Sequence, residues 1–170
     1  ELLMEYVEDM LYKDIFATSS VRKPEQLMHL THVLARQIGS EVNYGNLSRE
    51  VGVSRSTIVE YVDLLEQSFI IKRCPSYSEN TDSGLKKGKK IYFVDNGIRN
   101  AVLGNFSMLS ARQDAGALFE NFFFMERFKY NDYQRNFRDL YFWRLKQSGN
   151  TKTSEVDFLE VLDEKPVQAF

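Results

Sequence analysis

Residues 43–67 read NYGNLSREVGVSRSTIVEYVDLLEQ, and this stretch decides the first half of the fold. Asn43 or Tyr44 opens a short helix through Val51 that turns Leu47 and Val51 inward. Gly52, Val53 and Ser54 make a tight turn, and the Ser54 hydroxyl suits the N-cap of the next helix. That helix runs to about Gln67, with Ile58, Val62 and Leu65 on one face. Two short helices joined by a Gly-containing turn of about three residues form a helix-turn-helix.

Working outward, residues 69–74 (FIIKRC) and 90–95 (KIYFVD) read as paired strands, and the polar stretch 76–89 as their loop, or wing. Upstream, Pro24 suits the first turn of a helix that carries Leu27, Leu30, Leu34 and Ile38 before Gly39 closes it. His29 and His32 on that helix are three apart, but no nearby thiol or carboxylate completes a metal-ligand set. Residues 24–95 therefore have the order of a winged helix-turn-helix. Residues 1–23 precede it as an acidic linking helix, with Leu3, Val7, Met10, Leu11 and Ile15 at helical spacing among Glu1, Glu5, Glu8 and Asp9.

In that fold the recognition helix aims Ser54, Arg55, Ser56, Thr57 and Tyr61 at a nucleic-acid groove. Lys86, Lys87, Lys89 and Lys90 in and beside the wing sit on phosphates. Glu60, Asp63 and Glu66 on the same helix oppose this by making it net negative. The GLKKGKK run at 84–90 is not a phosphate-binding loop. Its glycines are too close, and Lys90 replaces the hydroxyl that would hold Mg²⁺.

Composition narrows the classes. Lys and Arg total 22 against 24 Asp and Glu, so any nucleic-acid contact must come from a local patch rather than from net charge. A single cysteine, Cys74, excludes a disulfide framework. No run approaches the ~20 apolar residues of a membrane span, so a cytoplasmic location without membrane contact is expected. The chain opens inside a helical pattern and closes inside a strand pattern, as a piece of a longer polypeptide does.

Residues 96–103 form a short helix closed by Gly104, and 105–114 a polar linker. Residues 116–130 are apolar around most of a helix, with Glu120 as the exception. A carboxylate beside Phe123 and Phe124 needs a cation, a metal or a hydrogen-bond donor, unless it points out along a polar strip with Arg127. Three strands follow at 140–146, 155–162 and 166–170. Glu155 and Asp157 share one face of the second. Glu120 and Asp157 are expected to converge, as hard oxygen ligands suited to Mg²⁺.

Three segments carry a resemblance: GALFEN at 116–121, YFWR at 141–144 and EVDF at 155–158. With LYKDI at 11–15, LSREVGVS at 47–54 and IYFVD at 91–95, they resemble the uncharacterised C-terminal domain of prokaryotic AAA-type ATP-binding proteins. The resemblance implies an α+β chain: a winged helix-turn-helix, then a truncated PD-(D/E)xK-like helix-plus-sheet module over 96–170. It makes Glu120 and Asp157 the remnant catalytic acids and the metal ligands. It also implies ATP bound by a domain before Glu1, and Mg²⁺ only in a longer chain, because the Glu-x-Lys of the next strand is absent. The expected function is nucleic-acid contact, with DNA as the partner, and no catalysis or cofactor in this chain. The alternative is a platform for a protein partner or for self-association of the ATPase.

Overall fold

The computed structural model describes residues 2, 5, 9, 23–78, 88–145 and 154–170, with Leu145 known by its backbone alone. Most of the predicted leading helix, most of the wing, Lys86, Lys87 and the turn after residue 145 lie outside these residues. The chain is α+β. Its elements are α1 (Pro24–Arg36), β1 (Glu41–Val42), α2 (Tyr44–Val51), α3 (Arg55–Gln67), β2 (Ile71–Pro75) and β3 (Lys89–Phe93), then α4 (Asn96–Leu103), α5 (Ala115–Tyr133), β4 (Asp139–Leu145), β5 (Ser154–Leu162) and β6 (Lys165–Ala169).

Local chemistry sets the first boundaries. The Asn43 side chain accepts hydrogen bonds from the backbone N–H groups of Gly45 (2.8 Å) and Asn46 (3.1 Å), capping α2. Gly52 ends α2 at φ +75°, a left-handed conformation that glycine adopts without a Cβ penalty. Ser54 then accepts from the Thr57 N–H at 3.1 Å and starts α3. Asp95 caps α4 in the same way, through the N–H groups of Gly97 and Ile98.

The first sheet has the order β1-β3-β2, antiparallel throughout, so β3 is its centre. Alternation along β3 divides two cores. Ile91 and Phe93 face one formed with Leu27, Leu30, Leu34, Ile58, Val62 and Leu65. Tyr92 faces a second, with Cys74, Phe124, Met125, Leu140, Phe142 and Phe158. Tyr92 stacks on Phe124 with ring centroids 4.2 Å apart. One strand thus serves as the wall between both halves of the chain.

The second sheet runs β4-β5-β6, also antiparallel, with bulges between Tyr141 and Trp143 and between Glu160 and Val161. Asp163 and Glu164, both at positive φ, make the tight turn into β6. The end of β2 ties the two sheets together: Ser76 bridges Phe142 in parallel, and the Tyr77 N–H donates to the Phe142 carbonyl at 2.7 Å. Asn121 of α5 fixes the helix to β3. Its carbonyl accepts from the Phe93 N–H at 2.7 Å, and its amide donates to the Phe93 carbonyl at 2.9 Å. Among the described residues, no helix is long and apolar enough to cross a membrane.

Candidate functional site

The described candidate residues fall in two places, the front of α3 and a cluster around β3. The first is the front of α3. Ser54, Arg55 and Ser56 are exposed there and Thr57 is half-buried. The Ser54 hydroxyl lies 2.8 Å from the hydroxyls of both Ser56 and Thr57. Tyr61, expected among the groove-facing residues, is instead buried, and its hydroxyl points toward the Lys23 carbonyl at 3.3 Å. The turn of α3 that carries Tyr61 faces the core beside Ile58 and Val62, so little of its side chain is open to a groove.

The acids of α3 are also disposed differently from the expectation. Asp63 and Glu66 do not add to the field at the front, because they turn toward β2. The Arg73 guanidinium donates to Asp63 at 2.5 Å and closely to Glu66, while the Arg73 N–H donates to Glu66 Oε1 at 3.0 Å. Lys72 lies 3.7 Å from Glu66 as well. Glu60 stays exposed and lines, with Ser54, Thr57 and Tyr61, an open cleft of about 700 Å³.

The second place is a cluster of acids around Lys90. Strand alternation sends Lys90 and Tyr92 to the same side of β3, toward α5 and β5. The Lys90 ammonium donates to Asp157 at 2.8 Å and to Glu120 at 3.2 Å, and pairs with Glu155 at 3.0 Å. It also sits 5.5 Å from the Phe142 ring centre. Tyr92 donates its hydroxyl to the same Glu120 oxygen at 2.6 Å. Arg144 extends the network, donating to Glu155 at 2.7 and 3.1 Å and to Glu41 at 3.2 Å. Gly39, at φ +73°, lets the backbone pass close to Glu120: a Cβ there would sit 3.2 Å from its carboxylate.

Glu120 therefore has both a cation and a hydroxyl donor, and it meets Asp157 across one ammonium group. Lys90 is the residue that sequence reasoning misplaces. It is expected on a phosphate, but it is 2% exposed and its charge is committed to three carboxylates. The alternation of β3 residues is the available signal, since Lys90 falls on the Tyr92 side rather than on the wing. Lys89 lies 5.9 Å from the Tyr44 ring centre, toward the helical half.

Electrostatics follow the geometry. Burial alone would lower the Lys90 pKa, but the hydrogen bond to Asp157, the charge of Glu120 and the hydrogen bond to Glu155 push it up to about 12. Burial works against the charged form of Glu155, yet the hydrogen bonds from Arg144 and Lys90 hold it below its usual range. Tyr92 is raised by burial and by the adjacent Glu120 carboxylate, so it stays protonated as a donor. Cys74 is raised by burial, which leaves an unreactive thiol. The Lys90 ammonium occupies the space between Glu120, Glu155 and Asp157. Among the described residues, no group of three or more His, Cys, Asp or Glu side chains is arranged to hold a metal.

A second acidic centre is one that sequence reasoning misses. Glu160 on β5 is fully buried and accepts from Arg127 (2.5 and 3.0 Å), Asn131 (3.1 Å) and Arg138 (2.9 Å). Arg127 therefore serves Glu160 rather than a polar strip with Glu120. The arrangement ties α5 to the second sheet.

A family model for a domain of unknown function, DUF8612, matches residues 1–109 of the chain. The chain belongs to the DUF8612 family. The match covers α1 to α4 and both strands that hold Arg73 and Lys90, and it ends before α5, so Glu120, Glu155 and Asp157 lie beyond it. The DUF8612 chain is similar to an uncharacterized protein of Haemophilus influenzae, 29% identical over 108 residues, covering 61% of this chain and 27% of that protein. It is also similar to the uncharacterized protein MJ1544 of Methanocaldococcus jannaschii, 26% identical over 131 residues, covering 74% of this chain and 28% of that protein. The chain thus spans little more than a quarter of the length of these curated relatives. No solved structure matches.

Proposed function

We propose that this DUF8612 chain contacts duplex nucleic acid through the first turn of α3, as the winged helix-turn-helix of a longer AAA-type ATP-binding protein. One observation carries the reading: Arg73 takes up Asp63 and Glu66, so the exposed front of α3 keeps Arg55 and hydroxyls with Glu60 as the opposing acid. Phosphate contact needs local cationic and hydrogen-bonding groups rather than net charge, and this front supplies both. The order α1-α2-α3 followed by the antiparallel β2–β3 pair supports the winged-helix reading. The length of the relatives leaves room for an ATPase domain in the whole protein.

In the same reading, α5 with β4–β6 is a nuclease-like module whose acids hold the chain together instead of holding metal. Lys90 crosses from β3 to Glu120 and Asp157, and so joins the module to the DNA-contacting half. No hydrolytic step is assigned to this chain. Titration of a labelled duplex at low salt tests the proposal. Binding that Arg55→Glu abolishes and Glu60→Gln strengthens supports it, and an unchanged anisotropy with the wild-type chain removes it.

A further inference from the structure

One face of α5 is covered by no other element among the described residues, although it is strongly aromatic. Phe119 is 68% exposed, Phe122 55%, Tyr130 49% and Tyr133 80%. At 3.6 residues per turn these four, with Glu126 and Lys129, fall within an arc of about 100°. The opposite face is the one buried, through Asn121, Phe124 and Asn131. Glu126 and Lys129 pair with each other across one turn at 3.0 Å, with side chains 51% and 44% exposed. The stripe is thus aromatic at both ends and has one charge of each sign near its centre.

We propose that two copies of this chain pair antiparallel along this face of α5. A two-fold axis through the point midway between Arg127 and Phe128 sets each residue opposite the one equally far beyond that point. Phe122 then meets Tyr133 of the second copy, and Glu126 meets its Lys129, each contact occurring twice. Phe119 reaches the helix end, where Phe137 is 83% exposed. The Glu126–Lys129 pair within each helix is exchanged for two pairs between helices. Such a self-complementary patch is what an isologous dimer requires. An unrelated partner would need neither the mirror placement of Glu126 with Lys129 nor that of Phe122 with Tyr133.

The size of the stripe sets the strength. From Phe119 to Tyr133 it runs about 21 Å at 1.5 Å per residue. Specific interfaces bury about 1,200 Å² or more in total, and a stripe one helix wide and this short falls at or below the low end of that range, so the dimer is expected to be weak. The pairing does not rest on nucleic-acid contact, since the front of α3 lies on a different element.

Sedimentation equilibrium of the 170-residue chain from about micromolar to submillimolar concentration tests it. The wild-type chain is expected to show a monomer–dimer equilibrium. Glu126→Lys alone and Lys129→Glu alone each place like charges face to face, and each weakens the dimer about tenfold or more. An equimolar mixture of the two variants pairs opposite charges again and recovers the dimer as a hetero-pair. Phe122→Ser weakens it while far-ultraviolet circular dichroism stays unchanged. A wild-type chain that is monomeric throughout, a dimer indifferent to both charge reversals, or a mixture that fails to recover overturns the proposal. So does stronger capture of a different protein than of a second copy.

Discussion

Replacing Lys90 by Met keeps most of the side-chain volume and removes the charge that three carboxylates share. Removing one partner of a buried ion pair costs about 3–5 kcal/mol. Here the carboxylate side chains are partly solvated, at 25% for Glu120, 28% for Glu155 and 54% for Asp157, and Glu155 keeps Arg144. Solvent screening reduces the loss to about 2–3 kcal/mol, or roughly 5–10 °C in Tm for a domain of this size. The sign with pH is fixed by the same group. Lys90 titrates higher folded (about 12) than in its ordinary state (10.5), so its contribution is complete below the ordinary value and disappears as pH rises through the folded one. In Lys90→Met, the uncompensated carboxylates repel one another at neutral pH and are relieved when protonated. Urea denaturation at pH 7 and at pH 4 should therefore show a wide gap between wild type and variant that narrows in acid. A variant as stable as wild type at pH 7, or a gap that does not change with pH, would refute the assignment of Lys90 as the tie between the halves.

Three further perturbations probe other contacts. Arg73→Ala releases Asp63 and Glu66, and should cost about 1–2 kcal/mol in a urea melt while weakening duplex binding through the freed negative charge. Asn121→Ala leaves the buried Phe93 N–H and carbonyl unpaired, and should cost about 2–4 kcal/mol by the same assay. Glu160→Gln at a fully buried position, with its two arginines a quarter to a third exposed, should cost about 2–4 kcal/mol at pH 7. Burial opposes the charged form of Glu160, but Arg138, Arg127 and Asn131 lower its pKa overall. Its stabilisation is therefore present above the ordinary carboxylate range and lost as pH falls through the lowered value, so the cost of Glu160→Gln should shrink on acid titration.

The parts of the fold that short-range chemistry controls are legible in the sequence. Caps at Asn43 and Ser54, the glycine at 52 and the tight turn at Asp163 and Glu164 are written within a few neighbouring residues, and the elements begin and end where those signals stand. The apolar run at 116–130 announces a helix, which the structure extends to Tyr133, but it overstates the burial, since Phe119 and Phe122 stay exposed. The two-residue strand Glu41–Val42 carries too little pattern to be seen, and it exists because β3 has an edge to pair. The partners of charged residues are not legible. Lys90 meets Glu120 and Asp157 at sequence separations of 30 and 67, and Arg73 meets Asp63 only once β2 folds back on α3. A lysine next to a basic loop looks the same in sequence whether it ends in water or among carboxylates. Pleat direction decides that, and it is set by which face of β3 each core claims.

The most direct test of the proposed function is the salt dependence of duplex binding, measured by fluorescence anisotropy on the wild-type chain and on Arg55→Ala. Removing one cation from a phosphate reduces the slope of log affinity against log salt by about one. The front of α3 predicts binding that weakens steadily with salt, and a slope about one unit shallower in the variant. Affinity that ignores salt, or the same slope in both chains, would contradict it.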